Sequence, residues 1–197
     1  LKHLIQGYNF FHEGRGSKRG GGVGIFISNK INSEPKVCDR REKGVNFVEE
    51  KFENIVVKIP NCIKIHKNQT KDLILMAIYR QPVNENLDFF INHVEKLMKN
   101  LDKPNNELLF AGDTNLDLIK YANHAPTAKY LDTMINHGTL PRIVRPTRIK
   151  HQSATLIDHI FTRHNNLTVI SGILDLELAG NCGYTDHKPT FTVIRAQ

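Results

Sequence analysis

Short apolar runs separated by polar stretches set the rhythm of this chain, and most of the runs are too short for helices. Residues 23–28 (VGIFIS) have the length and composition of a strand, and 53–59 alternates less cleanly until Pro60, which is expected to close it. The run 73–79 is apolar almost throughout, the pattern of a central strand buried on both faces. From Leu87 the spacing changes. Phe90, Ile91, Val94, Leu97, Met98 and Leu101 recur at three and four residues, which predicts a helix with one buried face, and Pro104 lies just past its end. Residues 107–111 predict a second buried strand, and Ala128, Leu131, Met134 and Ile135 outline a second helix stopped near Gly138. Strands over 155–162, 167–174 and 190–194 complete the set, with loops expected over 14–24 and 61–72. Strands and helices alternate irregularly in the middle while the ends are strand-rich, which is an α/β or α+β order. No repeat or interdomain linker interrupts residues 1–197, so one domain is expected.

Charge narrows the partners. With 27 Lys and Arg against 20 Asp and Glu, the formal charge is +7 and the pI about 9.3, which suits an anionic partner such as nucleic acid, although solubility alone explains such a balance equally well. Three dispersed cysteines, Cys38, Cys62 and Cys182, offer neither a disulfide framework nor a zinc spacing. The longest apolar run falls far short of the roughly 20 residues that span a bilayer, and no secretory pattern opens the chain, so a nuclear or cytoplasmic setting without membrane insertion is expected.

Candidate chemistry begins where the strand over 107–111 runs out. Asp113 and Asn115 stand two apart, and in extended structure such side chains face the same way and converge on one ligand. An Asp there can take a proton from water while an Asn orients it; an isolated Asp-x-Asn is more often a turn or a helix cap. Three further stretches keep it company: Tyr79-Arg80-Gln-Pro82 at the end of a strand, Asp158 inside the apolar Thr155-Leu-Ile-Asp158-His-Ile-Phe161, and Thr185-Asp186-His187-Lys-Pro189 before the last strand. A carboxylate within an apolar strand needs a partner, and a histidine supplies one, since Asp orients the imidazole and favours its protonated form.

Taken in order, Tyr-Arg-x-Pro, Gly-Asp-x-Asn, Ile-Asp-x-Ile-Phe and Thr-Asp-His-x-Pro resemble the endonuclease/exonuclease/phosphatase superfamily over nearly the whole chain. Gly20-Gly-Gly-Val-Gly-Ile-Phe-Ile27 after Gly7-Tyr-Asn-Phe-Phe11, together with Asn115-Leu-Asp-Leu118, Arg145-Pro-Thr-Arg148 and Ser153-Ala-Thr-Leu-Ile-Asp158, resembles the apurinic-type endonucleases of non-LTR retrotransposons in particular. The resemblance implies two facing β-sheets flanked by helices, the four-layer α/β sandwich of deoxyribonuclease I. It implies Asp113 as base or water-positioner, Asn115 as its orienting partner, Tyr79 against the scissile phosphate, Asp186 on the metal, and His187 paired with Asp158 on the phosphoryl oxygens. Mg²⁺, with Mn²⁺ as a substitute, is the implied ion because the donors are oxygens. DNA is the implied substrate, and a reverse transcriptase region of the same polyprotein the implied partner; the same catalytic set also suits another phosphoester such as a phosphoinositide, sphingomyelin or an abasic site, and the departure at the start of the chain suits a catalytically inactive nucleic-acid-binding remnant. Arg80, Arg145, Arg148 and Lys150 are the candidate DNA contacts, the last three in a stretch, 139–164, whose one acid is Asp158.

The chain departs from the family pattern at its start. Relatives open with a strand ending in Asn and then a metal-binding Glu near a Trp, whereas this chain has no Trp and its Glu13 comes too late. The first strand is therefore expected to be missing, with Leu1 just downstream of the Glu. Gly14 to Gly24 lacks the Gly-Lys-Ser/Thr ending of a nucleotide loop. His124, His151, His159 and His164 form no ligand spacing and are expected in surface or packing roles, and Phe10 and Phe11 in the core.

Overall fold

The structure, a computed structural model, describes residues 5–13, 22–38, 52–66, 69–82, 87–150, 152–163, 167–174 and 185–196. Its elements in chain order are β1 (Tyr8–Glu13), β2 (Val23–Ser28), β3 (Lys36–Val37), β4 (Phe52–His66), β5 (Gln69–Arg80), α1 (Leu87–Leu101), β6 (Asn106–Asp113), α2 (Ala125–Asn136), β7 (Leu140–Pro141), β8 (Arg148–Lys150), β9 (Ser153–Thr155), β10 (Asp158–Thr162), β11 (Leu167–Ile173) and β12 (Thr190–Ala196). A 3₁₀ turn, Leu118–Lys120, follows β6.

Six strands form the central sheet in the order β3-β4-β5-β6-β10-β7, and only β5 and β6 run parallel, as the α1 crossover between them requires. Alternate residues of these strands serve two cores. Val56, Ile74, Met76, Ile78, Leu108 and Phe110 face α1 and α2, whereas Ile55, Val57, Ile59, Leu73, Leu75 and Ala77 face the hairpin of β1 and β2. A second antiparallel pair, β11 with β12, touches β4 and β10. The described residues thus supply helices, a central sheet and the β1–β2 hairpin as three layers, in a sheet-dominated α/β architecture.

The α1 stripe buries as expected, with Asp88 in the first turn and Lys99 in the last suiting the helix dipole. On α2 the buried face is Thr127, Tyr130, Thr133 and Met134, so Ile135 is exposed and the stripe is rotated from the expected one. Tyr130 is the reason: fully buried, its ring meets Phe161 edge-on and stacks on His159, which fixes the helix rotation. The helix ends as anticipated, Gly138 taking φ 71°.

Three sequence expectations change. Pro60 does not end β4, because Asn61 adopts φ 50° in an irregularity of the ladder and its N–H bonds Asp72 Oδ1 at 2.9 Å, so within the expected loop over 61–72 the described residues 61–66 and 69–72 are paired strand. The expected strand over 155–162 is two strands, β9 and β10, broken at Leu156 and Ile157. Asp158 is therefore the first residue of β10 rather than an acid in mid-strand. Phe11 packs on the hairpin core, but Phe10 points to the other face, stacked on Phe26 at 4.3 Å, as strand alternation demands. Residues 14–21, His151, His164 and Cys182 lie outside the described residues.

Candidate functional site

Register, more than motif spacing, assembles the site. Glu53 pairs with Tyr79, Tyr79 with Asp113, and Asp113 with Asp158, one row across β4, β5, β6 and β10. Paired residues project from the same face. This row shares its parity with Ala77 and Leu75, so it points to the hairpin side, at the end of the sheet where β5 and β6 finish. Glu53, fully buried, escaped the sequence reading; the available signal was an acid between Phe52 and the apolar run Ile55-Val-Val57, one strand before Tyr-Arg-x-Pro.

The segment after β6 explains each letter of Gly-Asp-Thr-Asn. A Cβ on Gly112 would stand 1.8 Å from the Ile78 carbonyl oxygen, so only glycine lets β6 approach β5 this closely. Asp113 Oδ1 accepts the Asn115 N–H at 3.0 Å. Asn115 takes φ 50°, a conformation Asn tolerates well, and its Nδ2 donates to the Arg80 carbonyl at 2.7 Å. The Asp113–Asn115 contact therefore arises from a tight turn and not from extended-strand parity. Arg80 is 4 % exposed and turned toward the helices; its guanidinium donates to the carbonyls of Thr114 at 2.6 Å and Asn115 at 3.0 Å. That placement corrects its assignment as a DNA contact, because the side chain braces the loop from beneath. Burial pushes the Asp113 carboxyl above its ordinary value and the nearby Asp158 adds to the rise, while the Asn115 N–H and the His187 and Arg148 charges oppose it.

On the neighbouring strand Asp158 grips His187, whose Nδ1 lies 3.1 and 2.9 Å from its two carboxylate oxygens. A carboxylate only accepts, so Nδ1 carries the proton and Nε2 is left for a ligand. The segment bearing His187 is tied down by backbone bonds: Ile149 N–H to the Asp186 carbonyl at 3.0 Å, Lys188 N–H to the Thr147 carbonyl at 2.7 Å, and His187 N–H to Thr185 Oγ1 at 3.1 Å. Thr147, buried and given no role of its own in the sequence reading beyond its place in Arg145-Pro-Thr-Arg148, also accepts the Ile157 and Asp158 amides on its hydroxyl at 3.3 and 3.1 Å. Asp117 accepts the Leu156 N–H at 3.0 Å, which accounts for the Asn-Leu-Asp stretch.

Asp113, Asp158 and His187 bring ligand atoms within 4.8 Å of one another. Two carboxylates crowded together, one already pushed up by burial, are the donor set a hard divalent cation relieves. Asp186, the residue expected on the metal, stands outside this cluster: its Oδ2 is 2.8 Å from Arg148 Nε, and that bond holds its carboxyl below the ordinary range. Arg148 therefore sits within the site, whereas Arg145 and Lys150 are exposed beside it. A shallow pocket lined by Arg145, Pro146, Ile149, Ile173 and Lys188 opens next to them. No helix among the described residues is long and apolar enough to cross a membrane.

Residues 1–187 match the Endonuclease/Exonuclease/phosphatase family. Among curated proteins no sequence matches. Solved structures do: the endonuclease domain of TRAS1, a telomere-specific non-LTR retrotransposon, aligns with a TM-score of 0.64 at 12% identity, covering 98% of this chain and 80% of its own. The D. rerio TDP2 structure complexed with single strand DNA product gives 0.62 at 15% identity, covering 96% and 78%. A mannosyl-6-phosphatase of Bacteroides thetaiotaomicron gives 0.63 at 15%, covering 97% and 78%. These likenesses establish the deoxyribonuclease I-like fold, and with the match over residues 1–187 the chain belongs to the endonuclease/exonuclease/phosphatase family of phosphate-ester hydrolases.

Proposed function

We propose that this chain is a metal-dependent phosphodiesterase that nicks DNA, the endonuclease part of a retrotransposon protein whose reverse transcriptase region uses the nick. The observation that carries the reading is the convergence of Asp113, Tyr79 and the Asp158–His187 pair at one end of the sheet. Asp113, with Oδ1 held by the Asn115 amide and its proton affinity raised by burial, is suited to take a proton from an attacking water. His187, its Nδ1–H oriented by Asp158, stabilises the phosphoryl oxygens in its imidazolium form, in which Nε2–H donates to them as negative charge grows there. Tyr79, one strand from Asp113, offers its hydroxyl to the same phosphate. A divalent ion, Mg²⁺ by the oxygen character of the donors, would be held by the Asp113 and Asp158 carboxylates, and would supply charge neutralisation of the phosphate. Arg148, Arg145 and Lys150 supply cations along the path of the backbone, and the pocket beside Lys188 joins apolar walls to two cations, which fits a nucleotide better than a sugar phosphate.

Nicking of supercoiled plasmid tests this directly. Cleavage with Mg²⁺ or Mn²⁺, abolished by chelator and by His187→Ala, is the expected result. A folded chain that hydrolyses a phosphomonoester but leaves plasmid intact would overturn the DNA assignment, and one that hydrolyses neither would overturn the enzyme.

A further inference from the structure

The ladder between β6 and β10 ends at the pair Asp113–Asp158, so the two carboxylates face each other at the last register of the strands, where the chain passes into a loop on either side. On the opposite face of the same strands sits His159, 2 % exposed and one residue from Asp158. Its Nε2 lies 3.1 Å from the Leu156 carbonyl, which only accepts, so Nε2 carries the proton and the buried neutral ring offers one lone pair at Nδ1. Thr114 Oγ1 stands 3.1 Å from that nitrogen, the shorter of the nitrogen's two hydroxyl contacts, and accepts the Leu116 N–H at 3.3 Å, which leaves its own hydrogen available for the ring. The result is a one-way chain from the Leu116 amide through Thr114 and His159 to the Leu156 carbonyl. Leu118 N–H reaches that carbonyl too, at 3.0 Å, and Thr114 N–H bonds the Ile157 carbonyl at 3.1 Å. The loop after Asp113 and the loop before Asp158 are thus cross-tied through one imidazole. Tyr130 on α2 stacks on the ring at 5.6 Å between centroids, with its hydroxyl 3.3 Å from Nδ1.

We propose that Thr114 and His159 are positioning residues that hold the Asp113 and Asp158 carboxylates at their working separation, a role that rests on the hydrolytic reading above. Packing alone does not explain an imidazole here. The next inward-facing residue on the strand, Phe161, fills its share of the same core without any polar atom. A Phe at 159 would serve packing equally well but would leave the Thr114 hydroxyl buried with no ring acceptor, and a buried group so orphaned is costly. The sequence signal is the pair Gly-Asp-Thr and Ile-Asp-His: each catalytic Asp is followed by the residue that reaches across to the other strand.

The test compares Thr114→Val, Thr114→Ser and His159→Phe in two readouts, steady-state plasmid nicking and amide hydrogen exchange. Thr114→Val keeps the side-chain shape and removes the hydroxyl. It is expected to lower kcat roughly 10–100-fold with KM held within about twofold, the pattern of a lost orienting contact. Exchange at Leu116 and Leu118 should quicken by a similar factor while Phe110 in mid-strand stays protected, and Thr114→Ser should restore both readouts. Unchanged exchange at Leu116 and Leu118 in both Thr114→Val and His159→Phe would overturn the tether. So would a lowered melting temperature with kcat intact. A wild-type chain that does not cleave counts against the hydrolytic reading alone, because exchange reports the tether whether or not DNA is cut.

Discussion

The two ends of the central sheet treat acidic residues in opposite ways. Toward the end where β5 and β6 begin, acids meet a cation: Lys58 reaches Asp72 at 2.7 Å, Lys71 reaches Glu107 at 2.5 Å, and Arg163 joins Asp102 while donating to the carbonyls of Lys103 and Asn106. At the end where β5 and β6 finish, Asp113 and Asp158 face each other, with His187 on one and Arg148 nearby but committed to Asp186. One end spends its charges on holding strands together, and the other keeps like charges in tension. A site built this way is poorer for stability and ready for a cation or a proton.

Removing the tension should show the largest effect. Asp113→Asn is expected to reduce the nicking rate about a thousandfold while leaving the melting temperature unchanged or higher, since burial and Asp158 both disfavour its charge; a loss of stability would break the contrast. At the other end the reverse holds. Lys71→Met strands the Glu107 carboxylate, 3% exposed, and should lower unfolding free energy by about 3 kcal/mol in denaturant titration, with nicking retained at a permissive temperature.

Acid should erode the helix side of the sheet. Burial, with Lys96 assisting at His93, pushes His93 and His159 down to about 4, so the unfolded chain takes up protons on both rings near 6.5 before the folded chain does. Their contribution is therefore complete above about pH 6.5 and is lost as pH falls toward 4, by ~3 kcal/mol per ring at most. Denaturation midpoints measured across that window should fall, and less steeply in His159→Phe than in the wild type. The smallest effect belongs to the exposed pair Lys129–Asp88, 2.7 Å apart between α2 and α1, where Lys129→Ala should change stability by less than about 1 kcal/mol and vanish into salt.

What was legible in the sequence followed from local chemistry. The α1 stripe, the apolar runs of β5 and β6 and the glycine stop after α2 rest on periodicity and backbone preference, which neighbouring residues settle among themselves. Tyr79, Asp113 and Asn115 stood out at the ends of apolar runs, Asp158 within one and Asp186 and His187 before the last strand, and the resemblance of the four motifs to one family gave them their expected roles. The misreadings share a cause. Pro60 and Asn61 looked like a strand end because a bulge is invisible without its partner strand, and Arg80 looked like a surface cation because nothing local revealed the carbonyls of Thr114 and Asn115 waiting beneath it.

By itself the sequence determined which residues could do chemistry and which element carried each, because those properties reside in single residues and short periods. Only the tertiary structure decided which of them meet. Glu53 joins the row with Tyr79, Asp186 is taken by Arg148 and left out of the carboxylate cluster, and His159 ties Thr114 to the strand bearing Asp158. Those outcomes depend on strand register and on which face each side chain takes, and a register shift of one residue would have reversed every one of them.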